Sequence, residues 1–214
     1  MAKRGDALEL AVLGLLHESP MHGYELRKQV TALLGWGRVL SYGSLYPCLK
    51  QMVRDGMIAE DLAVTEAVRS SRRGKIVYKL TAEGKERFAA LVSAAGPSAW
   101  EDDSFGVHFA FFSATNAETR IRILEGRRSR LEERLDRVRT SLARSRARLD
   151  RYTLELQRHG LDSVEREVRW LSELIASERV SQAAGTRTTD SAGTTATNAD
   201  QPPSADQPGM RKAE

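Results

Sequence analysis

The chain has 214 residues and a formal net charge of +4, from 33 Lys and Arg against 29 Asp and Glu; at roughly 150 residues per domain, that is one large domain or two small ones. A single cysteine, Cys48, excludes an intramolecular disulfide framework and a cysteine-only zinc site, and it fits a reducing cytoplasm. The longest apolar run, Leu10 to Leu16, is far shorter than the roughly 20 residues that span a bilayer.

Charge is unevenly placed. Residues 1–95 hold 14 basic and 10 acidic side chains, and residues 96–113 hold only Glu101, Asp102 and Asp103. Residues 114–182 hold 16 basic and 12 acidic, and residues 183–214 hold three and four. Two mildly basic blocks therefore flank a short acidic connector, and a nearly neutral tail follows.

Leu8, Leu10, Ala11, Val12, Leu13, Leu15 and Leu16 predict a short helix buried on most sides and closed by Ser19-Pro20. Lys3 and Arg4 precede that run, but Glu9 interrupts it and no small-residue cleavage site follows, so it does not read as a signal peptide. His22-Gly23-Tyr24 opens a second helix that ends at Gly35-Trp36-Gly37. A third is predicted from about Ser41 to Arg54, with Leu45, Leu49, Met52 and Val53 on its inner face and Ser44, Pro47, Cys48, Lys50, Gln51 and Arg54 on the other.

After Gly56 the period becomes extended: Met57–Glu60 and Ile76–Leu80 predict two strands, with the basic tip Arg69-Ser70-Ser71-Arg72-Arg73-Gly74-Lys75 between them. Thr81 is the expected N-cap of a further helix that buries Phe88, Leu91 and Val92. Three helices, a hairpin with a basic tip and another helix is the order of a winged helix-turn-helix, in which a helix enters the major groove and the tip lies along phosphates.

Four runs in register carry a resemblance: Ala11-Val12-Leu13-Gly14-Leu15-Leu16, Pro20-Met21-His22-Gly23-Tyr24-Glu25-Leu26, Ser41-Tyr42-Gly43-Ser44-Leu45-Tyr46-Pro47, and Arg73 through Gly84. Together they resemble the PadR transcriptional regulators across nearly all of residues 8–95. The resemblance implies a bacterial, homodimeric DNA-binding regulator, usually a repressor, released in some members by a small phenolic or other aromatic compound. It implies that Tyr24 lies near the DNA backbone, that Ser41, Tyr42, Gly43, Ser44 and Tyr46 begin the recognition helix, and that Arg72, Arg73 and Lys75 form the wing. Small residues allow close approach and arginines neutralise phosphates, which suits these types to the task. The residues themselves leave a second use open for each: Gly43 at a helix start, Tyr46 packed beneath the helix, Arg72 and Arg73 as solvated charges.

Beyond Gly96-Pro97-Ser98, positions spaced alternately by three and four run Ile121, Leu124, Arg128, Leu131, Leu135, Val138, Leu142, Ser145, Leu149, Tyr152 and Leu156. This predicts one long helix with a coiled-coil seam, ended by His159-Gly160. Asp162, with Glu165 three residues on, is expected to cap a last helix whose seam is Leu161, Val164, Val168, Leu171 and Ile175. Self-association of these stripes is the expected dimerisation, and the arginines around them are expected to pair with nearby Glu and Asp. From Ala183 the composition predicts disorder.

The expected architecture is therefore mainly α with a small β-hairpin wing: a winged helix-turn-helix over 1–95, a connector over 96–113, a helical coiled-coil dimerisation domain over 114–182, and a disordered tail over 183–214. Double-stranded DNA and a second copy are the expected partners. Trp100, Phe105, Phe109, Phe111 and Phe112 bracket the junction of the two domains; dimer core is the default reading of such a cluster, and an aromatic effector is the alternative, expected against Trp100, Phe105, Phe109 and Phe112. His17, His22, His108 and His159 are scattered singly, so neither metal, cofactor nor enzymatic activity is expected. Lys50 and Arg54 beside Cys48 offer a lowered thiol pKa, with a plain structural cysteine as the default. The alternative function is a coiled-coil adaptor whose winged domain binds protein; the expected location is the bacterial cytoplasm, at the nucleoid.

Overall fold

The computed structural model describes residues 3–34, 42–61, 76–145 and 150–192. Helix α1 (Lys3–Glu18) leads into strand β1 (Met21–His22) and helix α2 (Gly23–Leu34); α3 (Tyr42–Arg54) is followed by β2 (Ile58–Glu60), β3 (Val77–Leu80) and α4 (Ala82–Ser93). Leu10, Ala11, Val12 and Leu13 are completely covered because α1 is packed by α2, α3, α4 and β3 together. An apolar run with no polar stripe has no face to offer water, so the other elements assemble around it.

The sheet order is β1-β3-β2, all antiparallel, with Met21 opposite Tyr78 and Ile58 opposite Leu80. The sequence predicts β2 and β3; β1 is an addition, too short to show a period. Gly56, at φ +73°, ends α3 in a left-handed turn, with Met57 N–H bonded to Met52 O and Gly56 N–H to Val53 O. The Thr81 hydroxyl then does two things. It accepts from Gly84 N–H at 3.0 Å as an N-cap, and it donates between Gly56 O and Met57 O. Gly84 makes that approach possible, since a Cβ there would lie 2.0 Å from Met57 O.

Residues 96–115 are folded. Pro97 occupies the first turn of α5 (Pro97–Trp100), α6 spans Phe105–Ala110, and a 3-10 turn covers Phe112–Ala114. Phe111 belongs to the core around α1, with its ring edge-on to Phe88, and fills the notch left by Gly14: a Cβ on Gly14 would sit 2.2 Å from the ring. Trp100 fills the equivalent notch at Gly126, where a Cβ would come within 2.5 Å.

Asn116 caps α7 (Ala117–Ser145) by accepting from Thr119 N–H, and α8 spans Arg151–Ala192. The expected single helix through Leu156 is therefore broken earlier, and His159-Gly160 is not its end. Asp150 starts α8 by accepting from Tyr152 and Thr153 N–H groups at 2.9 and 3.0 Å. Gly160 stays helical inside it. The physical reason is antiparallel pairing: Leu135 and Val138 of α7 face Leu161 and Val164 of α8, so the reversal must come before residue 157. Glu165, expected to close a capping box with Asp162, instead pairs with Arg139 across the two helices. Residues 183–192, expected to be disordered, continue α8; residues 193–214 lie outside the described residues.

Leu124, Leu131, Leu171 and Ile175 are buried together with Ala99, Phe105 and Ile123, flanked by Val164 and Val168. Arg120 to Glu178, Arg127 to Glu167 and Arg179 to Glu125 add ion pairs between α7 and α8. Much of the stripe read as a seam for a partner is thus covered within one chain.

Replacing a mid-helix glycine by alanine ordinarily adds up to about 1 kcal/mol. Gly14→Ala should instead cost about 1–3 kcal/mol, because Phe111 is held between α1 and Phe88. Urea denaturation checks this, and Phe111→Leu in the same chain should recover part of the loss.

Candidate nucleic-acid interface

On α3 the buried residues Leu45, Leu49 and Met52 alternate with an exposed stripe of Pro47, Lys50, Gln51 and Arg54. These four sit at i, i+3, i+4 and i+7, which is one face of a helix. Gln51 donates to Asp55 at 2.7 Å and Arg54 Nε to Lys50 O at 3.3 Å, so the stripe is ordered by its own neighbours. Beside it runs a groove of about 340 Å³ lined by Lys50, Val53, Arg54, Glu60 and Tyr78, which joins the outer face of α3 to the paired strands.

Tyr24, at the first turn of α2, is 64% exposed, and the Arg27 guanidinium lies over its ring at 5.6 Å. Tyr46 is half-buried and packed on the core, near Gly23 and Tyr78. Burial first, then the Glu60 carboxylate and Tyr46, raise the Tyr78 hydroxyl above its ordinary pKa. Ser41, Arg72, Arg73 and Lys75 lie outside the described residues, as do the side chains of Tyr42, Gly43 and Ser44.

The second candidate cluster is brought together around α8. Phe105 and Phe109 rings are 5.8 Å apart, Phe109 and Phe112 4.9 Å, and Trp170 of α8 lies 5.4 Å from Phe109 and 6.4 Å from Phe105. Trp100 is set apart from this stack, against Gly126. Arg127, only 8% exposed, closes the cluster: its guanidinium lies over Phe105 at 5.3 Å and binds Trp100 O, Asp102 and Glu167.

Residues 12–90 match the Transcriptional regulator PadR-like family. This segment is a PadR-like domain. Comparison with curated protein sequences finds no match. Among solved structures, the chain is similar to the PadR-like transcriptional regulator BC1756 from Bacillus cereus, at 20% identity, 81% of this chain and 99% of that one, and a TM-score of 0.36. Bacillus subtilis PadR in complex with operator DNA is 20% identical over 80% of this chain and 98% of that one, with a TM-score of 0.39. The p-coumaric acid complex of the same protein gives 20% identity, 81% and 99% coverage and a TM-score of 0.36. The assignment rests on the match over residues 12–90, not on these superpositions.

Within the PadR-like domain, Cys48 differs from the redox reading. It points inward, its thiol 3.7 Å from Met52 Sδ, while Lys50 and Arg54 point out. Burial, with the Glu9 carboxylate adding to it, pushes the thiol up to about 11. Sequence reasoning passed over Glu60 and Tyr78 as groove residues and Trp170 as part of the aromatic stack. Trp170 falls between the seam positions Val168 and Leu171, so period alone could not select it; being the chain's one tryptophan beyond Trp100 was the available signal. Of the expected dimerisation residues, Leu124, Leu131, Leu135, Leu171 and Ile175 are buried within the chain. Ile121, Val138, Leu142 and Val168 are half-buried, Leu156 is exposed, and Leu149 lies outside the described residues. No helix of the described residues is long and apolar enough to cross a membrane.

With its thiol up near 11, Cys48 should react with a thiol reagent at neutral pH at least about a hundredfold more slowly in the native protein than in denaturant. Burial would raise the Asp102 carboxyl, but the hydrogen bond from Arg127 and the charges of Arg127, Arg130 and Arg134 outweigh it and hold it below the usual carboxylate range. Its contribution to stability is therefore present at neutral pH and lost as pH falls through that lowered value. Asp102→Asn should flatten this part of the acid limb between about pH 5 and 2 in denaturation midpoints.

Proposed function

We propose that the chain is a homodimeric PadR-like repressor that occupies a palindromic promoter operator. The observation that carries this is the exposed stripe of α3 within a PadR-like domain. Lys50, Gln51 and Arg54 stand on one face, with donors suited to base edges and phosphates, and the inner face is locked into the core. Gln51 suits adenine and Arg54 suits guanine or a phosphate. In this reading Tyr24 contacts the backbone beside the stripe, Ser41 through Ser44 start the recognition helix, and Arg72, Arg73 and Lys75 lie along phosphates. Tyr46 serves by packing under α3.

A two-fold operator needs two heads at fixed spacing. In this reading the α7–α8 hairpin is the element on which a second copy packs. The stack of Phe105, Phe109, Phe112 and Trp170 supports the reading that a flat aromatic compound releases the repressor, since such rings take another ring edge-on or offset. The protein acts at the nucleoid, in the cytoplasm.

The experiment is a footprint on the protein's own genomic DNA followed by mobility-shift titrations at several salt concentrations. A protected palindrome is expected. Arg72→Ala with Arg73→Ala should weaken binding to all sequences and lower the salt slope by roughly one per lost phosphate contact. Gln51→Ala should cost about 1–3 kcal/mol at its own base pair and relax specificity there. Uniform weak binding with no protected site would favour the protein-binding adaptor.

A further inference from the structure

Three charged groups line the groove between α3 and the paired strands. Lys50 and Arg54, one turn apart, reach it from α3, and Glu60, the last residue of β2, reaches it from the sheet. Val53 and Tyr78 form its floor, and both pack on the core. Glu60 stands opposite Tyr78 in the β2–β3 register, so its backbone position is fixed by the ladder. The Tyr78 phenol, raised by burial first and then by Glu60 and Tyr46, stays neutral and adds no charge.

The carboxylates on either side in sequence are engaged: Asp55 accepts from Gln51 at 2.7 Å, and Asp61 pairs with Lys79 at 3.9 Å. The Glu60 carboxylate is exposed and has neither hydrogen bond nor ion pair among the described residues. Arg54 uses only its Nε, on Lys50 O, and keeps the rest of its fork. The groove therefore offers two cations that attract a phosphate and one carboxylate that repels it. A phosphate taken by Arg54 on this side would bring its charge up to Glu60, and like charges a few ångströms apart offset much of such a contact. A base edge carries no net charge, so the same carboxylate opposes a base contact far less.

We propose that Glu60 is a specificity-determining residue: its carboxylate keeps the DNA backbone out of this groove and so leaves the Arg54 guanidinium to a base edge, guanine being the one its fork matches. This rests on the operator reading above and decides between the two uses that reading leaves to Arg54. Affinity is given up for discrimination. A phosphate contact strengthens binding to every sequence alike, whereas a base contact counts at one position.

Mobility-shift titrations of the full chain at several salt concentrations test it, using the fragment protected in the footprint, its single-base-pair variants and a random-sequence duplex of equal length. Glu60→Gln removes a charge at an exposed position and should leave the circular dichroism unchanged. It should tighten binding to the random duplex by about threefold or more, steepen the salt slope by up to roughly one, and reduce discrimination at one G·C pair. Arg54→Ala should abolish discrimination at that same pair, about tenfold in the wild type, and adding Glu60→Gln should change it no further. Glu60→Gln that leaves the random duplex and the salt slope unmoved, or that reduces discrimination equally when Arg54 is absent, overturns the role of Glu60 and leaves the operator standing. Weaker binding of Glu60→Gln to both duplexes overturns it too, and makes the carboxylate an anchor for a cation on the DNA face. A loss on Arg54→Ala that is equal for every base-pair variant assigns Arg54 to a phosphate and overturns the proposal. Absence of any protected fragment overturns the operator reading itself, and the proposal with it.

Discussion

Two aromatic rings seated in glycine notches hold this molecule together. Phe111 lies against Gly14 of α1 and Trp100 against Gly126 of α7, each closer to the helix backbone than any side chain at the glycine would permit. A buried aromatic ring removes some 150–250 Å² from water, and a missing Cβ lets that surface meet the helix directly. Both rings belong to the stretch between α4 and α7, so a segment without a long helix anchors the core around α1 and the core between α7 and α8. An apparent linker is the central strut of residues 1–179.

Two arginines one heptad apart reinforce that strut. Arg120 donates to Phe112 O and Thr115 O and to Glu178; Arg127 donates to Trp100 O and to Glu167 and Asp102. Each guanidinium joins connector backbone to an α8 carboxylate, which its planar fork suits better than an ammonium would. Arg127 is buried well enough that loss of its acidic partners would leave a charge without solvent. The arginine-rich composition of α7 is therefore partly architecture. Its surplus lies on the exposed side, at Arg130, Arg134 and Arg137.

Local signals were legible where chemistry is local. Thr81 as an N-cap, the inner face of α3 and the apolar α1 all follow from spacing or side-chain type, and each is found. The two-residue strand β1 was not legible, because its pairing with Val77 and Tyr78 is made by backbone groups more than fifty residues away. The helix break was misread for a related reason. Gly160 is the stronger terminator by propensity, but Asp150 caps earlier and tertiary pairing of Leu135 and Val138 with Leu161 and Val164 prevails over the roughly 1 kcal/mol a helical glycine costs. Cys48 shows the same limit: sequence neighbours at +2 and +6 point to the opposite face of α3, and what sets its thiol is burial in the core first and the Glu9 carboxylate second. Of the candidate interface, Lys50, Gln51 and Arg54 were legible from the helical period, whereas Glu60 and Tyr78 join them only through the sheet.

The short strand β1 bears on how DNA would be measured. Its two residues pair with β3, and Gly23 N–H at the start of α2 donates to Ile76 O. The opening of α2, which carries Tyr24, and the start of β3 are thereby one backbone-linked piece. Backbone contacts made from its two ends would have a separation set by protein, not by the duplex. Groove width and the ease of deforming it would then select among operators at base pairs that no side chain touches.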